Sequence, residues 1–166
     1  MPSPDEEFRE ALLIGRHPDD RLFSDREGAV WNFPGCRKGS VSAVFSVTPG
    51  TAGVRISLAD RWINPCDEYA KEYAVFSLVI DGSGQCNGVK LAEPDSRFTL
   101  QLEFDLDKNV LNVATEKGQL QIDRTRTLEA PFGKELNLSY LHLQSAAGKS
   151  DPYGVFLHST NMKKFE

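Results

Sequence analysis

The stretch RFTLQLEFDLD, residues 97–107, decides the fold because its apolar and polar side chains alternate without a break. The apolar positions are Phe98, Leu100, Leu102, Phe104 and Leu106. The polar positions between them are Thr99, Gln101, Glu103, Asp105 and Asp107. Successive side chains of a strand point to opposite faces of a sheet, so this period of two predicts a strand with one buried and one solvated face. The turn DKN then leads into VLNVATEKGQLQI, which continues the strand pattern.

The same period recurs on both sides of this stretch. Further strand patterns are SVSAVFSV (40–47), VRISLAD (54–60), YAVFSLVID (73–81), LNLSYLHLQSA (136–146) and GVFLHSTNMKKF (154–165). TPGTAG and DGSGQCNG separate some of them and have the composition of turns. Many strands divided by such turns predict an all-β fold, an antiparallel two-sheet β-sandwich. No helical pattern alternates with the strands, which disfavours a doubly wound α/β fold.

Only the first fifteen residues have a helical pattern. Ser3 is a suitable N-cap, Pro4 fits the first helical position, and Glu6 completes a capping box with Ser3. Phe8 and Leu12 would share one face of this helix. We therefore predict one domain over residues 1–166, with a short N-terminal helix at 1–15 and a sandwich at 22–164.

Composition limits the possible partners and compartments. The 166-residue chain has a formal net charge of −5 and no basic stripe, so a nucleic-acid partner is disfavoured. It has no apolar run long enough for a bilayer span. The acidic start MPSPDEEFRE is not a secretory signal, which indicates a cytoplasmic protein or a fragment of a longer one. Three cysteines without a C-x-x-C pair make a disulfide framework improbable.

Three stretches together carry a resemblance to known jelly rolls. WNFPGCRKGSVSAVFSV (31–47) and FTLQLEFDLDKNVLNVATEKGQLQ (98–121) resemble strands of concanavalin A-like and laminin-G-like domains. LSYLHLQSAAGKSDPYGVFLHSTNMK (138–163) resembles the last two strands of β-sandwich domains appended to bacterial sialidase-like and other carbohydrate-active proteins. The resemblance covers residues 22–164 and implies a jelly roll. Jelly rolls host lectins, accessory modules, hydrolases and lyases, so it implies a glycan-related role without fixing the activity.

A polar and aromatic loop between two strand patterns is the main candidate for ligand binding. Trp62 stands beside Asp60, Arg61 and Asn64, with Tyr69 following, and DRWINPCD also fits the sialidase-appended domains. Sugars stack their C–H faces on such rings while planar polar groups bond their hydroxyls. The other interpretation makes Trp62 a lid that folds back over the open end of the sandwich.

Two more features of this region remain open. Tyr69 and Tyr73 are four residues apart, so EYAKEY is either a single helical turn that presents both rings or the lead into the next strand. His142 and Gln144 share a strand face with Tyr140. Such a polar row lines a ligand groove on a concave sheet, and we expect His142 near the ligand. A satisfied structural histidine is the alternative.

The sharpest enzymatic hypothesis rests on LEFDLD. It resembles the E-x-D-x-E type of motif that laminarinase-type glycosidases carry on one strand, with Glu103 and Asp105 as the catalytic pair. Retaining hydrolysis needs two carboxyl groups about 5–5.5 Å apart. The last position, Asp107, is not Glu, and it runs into the turn KN, where aspartate commonly bonds its own backbone. A solvated strand face that ends in a turn is the alternative.

Calcium is the one cofactor we consider, because jelly rolls of this kind often hold one ion through aspartates and carbonyls. Asp19, Asp20 and Asp25 in HPDDRLFSD are its candidate ligands, and no other cofactor is indicated. DGSGQCNG and AGKSDPYG are the other oxygen-rich loops.

Three functions follow from the sequence. The first is a non-catalytic carbohydrate-binding or accessory domain, with Asp60, Arg61, Trp62, Asn64, Tyr69 and His142 around the ligand. The second is a small glycoside hydrolase or lyase that uses Glu103 and Asp105. The third is a structural domain that docks against another protein.

Overall fold

The structure is a computed structural model that describes residues 11–16, 27–67, 69–124 and 137–165. Twelve strands and one helical turn occupy this part of the chain. They are β1 (Leu12–Arg16), β2 (Gly28–Cys36), β3 (Lys38–Val47), β4 (Val54–Ala59), α1 (Ala70–Tyr73), β5 (Phe76–Ile80), β6 (Gln85–Cys86), β7 (Val89–Lys90), β8 (Arg97–Asp105), β9 (Val110–Ala114), β10 (Gln119–Asp123), β11 (Leu138–Ser145) and β12 (Asp151–Lys164).

Ten of these strands form two antiparallel sheets. The larger sheet has six strands in the order β1-β12-β3-β8-β9-β10, and the smaller has four in the order β2-β11-β4-β5. β6 and β7 make a separate short hairpin. The prediction of an antiparallel two-sheet jelly-roll sandwich is confirmed.

The core lies between the two sheets. The six-stranded sheet contributes Phe45, Leu102 and Phe104, and the four-stranded sheet contributes Ile56 and Leu143, all of them at most 1% exposed. Within β8 the predicted inward positions Leu100, Leu102 and Phe104 are buried, while Thr99, Gln101 and Glu103 are exposed. The apolar side chains of this strand are therefore the buried ones and the polar side chains the exposed ones, as the sequence predicts.

The predicted N-terminal helix at 1–15 is wrong over its described part. Leu12–Arg16 is an edge strand in which Leu12 lies opposite Leu157 and Ile14 opposite Val155. Residues 1–10 lie outside the described part of the chain. Tertiary pairing with β12 overrides the local helical pattern here, since a strand is stabilised by its neighbour and not by its own propensity.

β2 is a second element that the sequence pattern did not indicate. It contains Pro34, which a strand tolerates at a sheet edge or a bulge; β2 is the edge of the four-stranded sheet, and its pairing with β11 is irregular between Asn32 and Cys36. Trp31 is half-buried and packs on the core, 5.7 Å from the ring of Phe33. The first strand of the four-stranded sheet therefore begins at Gly28, ahead of the alternating pattern at 40–47 that forms β3 of the other sheet.

The cysteines of the sandwich are unpaired, and the helical content of the described ranges is small. Cys36, Cys66 and Cys86 are all free thiols, and burial raises the pKa of Cys36 and Cys86. Within those ranges no helix combines the length and the apolar character needed to cross a membrane.

Candidate functional site

The segment 60–74, which we call the strap, follows β4 and precedes β5, and its described residues, 60–67 and 69–74, lie over the outer face of the four-stranded sheet. Two side chains shape this segment. The Oδ1 atom of Asn64 accepts a hydrogen bond from the backbone N–H of Cys66 at 3.0 Å, and Oδ1 of Asp67 accepts one from that of Tyr69 at 2.9 Å. These short turns are what Asn and Asp favour, and they lead into the helical turn α1.

Apolar contacts seat the strap on the sheet. Ile63 and Ala70 are 5% and 1% exposed and form a small second cluster with Ala59, against which Tyr140 packs. Gly28 on β2 allows the close approach, since a Cβ there would lie 2.7 Å from the carbonyl oxygen of Pro65. A larger residue at this position would push the strap outward.

Gln144 on β11 holds the strap by hydrogen bonds. Its Nε2 atom donates to the carbonyl oxygens of Pro65 at 3.0 Å and of Asp67 at 2.6 Å, and the residue is 1% exposed. The strap therefore explains why residues 141–145 of β11 are buried on both faces of the sheet, where the sequence pattern indicated one solvated face.

His142 lies beneath the strap at 1% exposure, with Ser57 and Val30 as its neighbours on the adjoining strands. Neither ring nitrogen makes a well-aligned hydrogen bond among the described residues, although the backbone of Asn64 lies close to the ring. Burial lowers the pKa of His142, and the opposing influences of the Asn64 backbone and the Asp67 charge are smaller. The expectation that His142 contacts a ligand is corrected, because the strap separates its ring from the surface.

The burial of His142 predicts a pH dependence of stability. Its folded-state pKa lies below the ordinary value of 6.5, so the unfolded chain binds its proton more readily. The stability that neutral, buried His142 contributes is complete above pH 6.5, and it is lost as pH falls towards the folded-state pKa. We expect the free energy of unfolding, measured by urea denaturation from pH 7.5 to 5, to fall more steeply for the wild type than for His142→Phe.

His158 supplies the matched control for this series. Its Nε2 atom lies 2.9 Å from Oγ of Ser46 on the outer face of the other sheet, where it is half-buried. His158→Phe makes the same chemical change on the other sheet, so a change of slope that it shares with His142→Phe does not come from the burial of His142. Equal slopes for the wild type and His142→Phe would show that His142 does not titrate differently in the two states.

The outward side of the strap concentrates exposed aromatic rings. Trp62, Tyr69 and Tyr73 are 61%, 62% and 48% exposed, and among the described residues only Leu12 and Tyr153 are comparable large apolar side chains. The interpretation of Trp62 as a lid is therefore wrong. The single helical turn Ala70–Tyr73 is confirmed, and it leaves both tyrosines facing solvent.

A planar ion pair stands next to Trp62 in the chain. Arg61 donates from Nε to Oδ1 of Asp60 at 3.3 Å and from Nη2 to Oδ2 at 3.1 Å. The hydrogen bond to Asp60, and then the charge of that carboxylate, raise the pKa of Arg61. The Arg61 side chain is 46% exposed, while that of Asp60 is 10% exposed. The guanidinium is thus held in place and still reaches solvent.

Asn64 completes the set of polar candidates on the strap. It is exposed, and its side-chain oxygen is committed to the turn at Cys66. Arg61, Trp62, Asn64 and Tyr69 are exposed on the strap, Asp60 is mostly covered beside Arg61, and His142 is excluded from that surface.

The two carboxylates of the catalytic hypothesis have different surroundings in this structure. Asp105 ends β8, and its Oδ1 atom accepts hydrogen bonds from the backbone N–H groups of Asp107 at 2.9 Å and Lys108 at 3.2 Å. Glu103 is exposed on the open outer face of the six-stranded sheet, opposite Ser40 and Asn112. Asp105 is therefore a turn residue.

Asp107 is part of a surface ion-pair network instead. Its carboxylate lies 2.9 Å from Nη2 of Arg37 and 3.2 Å from Nζ of Lys38. The hydrogen bonds from Arg37 and Lys38 lower the pKa of Asp107. A carboxylate held in its charged form at the surface is unsuited to the role of a general acid.

One oxygen-rich loop that the structure describes, DGSGQCNG, is closed by its own hydrogen bonds. In DGSGQCNG, Oδ1 of Asp81 accepts from the backbone of Ser83 and Gln85 and from Oγ of Ser83, at 2.7 to 3.0 Å. Partial burial raises the pKa of Asp81, but these hydrogen bonds outweigh it and the net shift is downward. No group of three or more metal-binding side chains occurs in the described ranges. Asp19, Asp20 and Asp25 lie outside them.

Comparisons with known proteins support the fold. No family model matches the sequence, and no curated protein matches it. Among solved structures, a sialidase matches with a TM-score of 0.54 and 11% identity over 84% of this chain, which spans only 14% of the sialidase. The homodimeric agglutinin CG-16 from chicken liver matches with a TM-score of 0.51 and 11% identity, over 82% of this chain and 100% of its own.

A toad ovary galectin, solved in complex with N-acetylgalactose, matches with a TM-score of 0.54 and 11% identity over 81% of this chain and 97% of its own. At such identities these matches show the fold alone. The chain therefore has the jelly-roll β-sandwich of these proteins, and the finer concanavalin A-like or laminin-G-like assignment stays a prediction.

Proposed function

We propose that the protein is a non-catalytic carbohydrate-binding β-sandwich, with the outward side of the strap as its binding site. The observation that carries this proposal is the 61% exposure of Trp62. Leaving an indole in water forgoes the stabilisation that its burial would give, so an exposed Trp62 on a segment with two further exposed rings supports an interaction surface there. A sugar ring offers the matching apolar C–H face.

The polar groups around Trp62 suit hydroxyl recognition. Asp60 holds the Arg61 guanidinium in one plane, so less side-chain freedom is lost when a hydroxyl binds to it. Asn64 and Tyr69 are exposed on the same segment and add amide and phenol groups. Such a site would be shallow, and modest affinity is expected, because a sugar exchanges one set of hydrogen bonds with water for another.

The charges of the strap favour a neutral glycan. Residues 60–74 hold four acidic residues, Asp60, Asp67, Glu68 and Glu72, against two basic ones, Arg61 and Lys71. The one arginine is already paired with Asp60. A sulfated or sialylated glycan would meet net negative charge, which costs affinity at low ionic strength.

The structural comparisons support the proposal by analogy of fold. Two of the matching proteins are an agglutinin and a galectin in complex with N-acetylgalactose, and a third is a sialidase. Fold alone does not fix function, so the strap's own chemistry has to carry the argument.

A glycan array tests the proposal, with wild type, Trp62→Ala and Tyr153→Ala compared on the same slide. We expect the wild type to bind neutral glycans and Trp62→Ala to lose at least tenfold in affinity for them, equivalent to about 1.4 kcal/mol. Tyr153 is 56% exposed but lies on β12, so Tyr153→Ala is the matched loss of an exposed ring and should bind as the wild type does.

Two outcomes would count against this function. Absence of any glycan signal for the wild type would favour the structural docking domain. Binding that Tyr153→Ala removes and Trp62→Ala leaves intact would place the site away from the strap.

A further inference from the structure

We infer that Gln144 is the positioning residue of the binding site, because its amide clamps the strap onto the sheet and so fixes where Trp62 and Tyr69 stand. This inference rests on the proposed function for its binding consequence, whereas the clamp itself is independent of any ligand. Gln144 does not contact the proposed ligand, since it is 1% exposed beneath the strap.

The geometry of the clamp uses both hydrogens of one nitrogen. Nε2 of Gln144 lies 3.0 Å from the carbonyl oxygen of Pro65 and 2.6 Å from that of Asp67, two residues further along the strap. These bonds join positions 79 and 77 residues apart in sequence. A side chain with a single donor hydrogen cannot serve both carbonyls, and a carboxylate would repel them.

The clamped stretch lies between the ligand-facing residues. Trp62 precedes Pro65 by three residues, and Tyr69 follows Asp67 by two. The two carbonyls that Gln144 holds therefore lie, along the chain, between the two exposed rings. Besides these bonds, the strap is attached by Ile63 and Ala70 and by the backbone bond from Val75 to Leu58 at 2.9 Å. Without the Gln144 hydrogen bonds, the rings of Trp62 and Tyr69 would sample other orientations, which lowers affinity without removing any contacting group.

Hydrogen exchange of the full chain, measured peptide by peptide, tests the clamp. Gln144→Met keeps the side-chain length and removes both donors without adding a charge, and Gln144→Glu places a carboxylate against the two carbonyls. We expect amides in residues 60–74 to exchange at least tenfold faster in both variants, with peptides from β8 and β9 unchanged. On the glycan that the array selects, both variants should bind at least fivefold more weakly although Trp62 is intact.

Gln121→Glu is the matched control. Nε2 of Gln121 donates to Oδ1 of Asn112 at 3.1 Å on the exposed face of β10, so the same chemical change removes an amide donor away from the strap. It should leave both exchange and glycan affinity unchanged.

The exchange measurement and the glycan measurement fail separately. Unchanged strap exchange in Gln144→Met, or equal acceleration in the strap and in β8 and β9, would overturn the clamp, the second by showing only general destabilisation. If the wild type binds no glycan, the proposed function fails, and the exchange data still decide whether Gln144 holds the strap.

Discussion

Replacing Asp151 with alanine is expected to lower the free energy of unfolding by about 3 kcal/mol, one of the two largest effects that the structure implies. Asp151 begins β12 and is 5% exposed. Its Oδ2 atom accepts hydrogen bonds from Oγ1 of Thr51 at 2.6 Å and from the backbone N–H of Ala52 at 2.9 Å, and Oδ1 accepts from that of Gly154 at 3.3 Å. Alanine would leave these donors without their acceptor.

Thermal and urea denaturation measure this effect. For a chain of this size the expected loss corresponds to a decrease in melting temperature of roughly 9 °C. Asp123→Ala is the control, because Asp123 is exposed at the edge strand β10 and its loss should change stability by less than about 0.5 kcal/mol. Equal effects of the two substitutions would show that the Asp151 hydrogen bonds do not hold this end of the sandwich together.

Gly53→Ala is expected to cost about 3–4 kcal/mol, for a reason that is steric and not electrostatic. Gly53 has a φ of +105°, which lies in the region that L-amino acids with a side chain rarely adopt. A Cβ there would overlap the carbonyl oxygen of Ile80 and lie 2.8 Å from Cα of Asp81. Alanine would therefore meet both an unfavourable backbone conformation and a collision with the adjoining chain.

Gly88 separates these two contributions. Its φ is +82°, so it shares the left-handed conformation, but a Cβ there would meet nothing within 4 Å. Gly88→Ala should cost about 1 kcal/mol, which is the conformational part alone. If chemical denaturation gave Gly53→Ala and Gly88→Ala the same loss, the close approach of residues 53 and 80 would be wrong.

The strands were predictable where one face is buried and the other is solvated. In 97–105 and in 40–47 the alternation of apolar and polar side chains matches the buried and exposed sides of β8 and β3. β1 and β2 were not predictable in this way. β1 depends on pairing with β12, and Pro34 is compatible with β2 because β2 is an edge strand whose pairing is irregular at this position.

The composition of the strap was predictable, but its position was not. The grouping of Trp62 with Asp60, Arg61 and Asn64 is visible in the sequence, as is the shared face of Tyr140, His142 and Gln144. Period-two alternation says which side chains share a face and not what covers them. Only the fold shows that residues 60–74 cover that row, which buries His142 and makes Gln144 a support of the site.

The catalytic hypothesis depended on a pattern that a turn explains equally well. Glu103, Asp105 and Asp107 do share one side of the strand pattern, but Asp105 bonds the turn that follows β8 and Asp107 pairs with Arg37 and Lys38. Two carboxylates must converge on a bound sugar for hydrolysis. An open sheet face does not provide that convergence, and this is why we propose a binding role.

The most direct test of the account follows the two tryptophan side chains by NMR during a glycan titration. The chain has only Trp31 and Trp62, so a ¹H–¹⁵N spectrum contains two indole N–H signals, which Trp62→Ala assigns. We expect the signal of exposed Trp62 to shift in a saturable way with a neutral glycan, while that of Trp31, packed on the core, stays in place. A glycan that binds while the Trp62 signal does not move would contradict it.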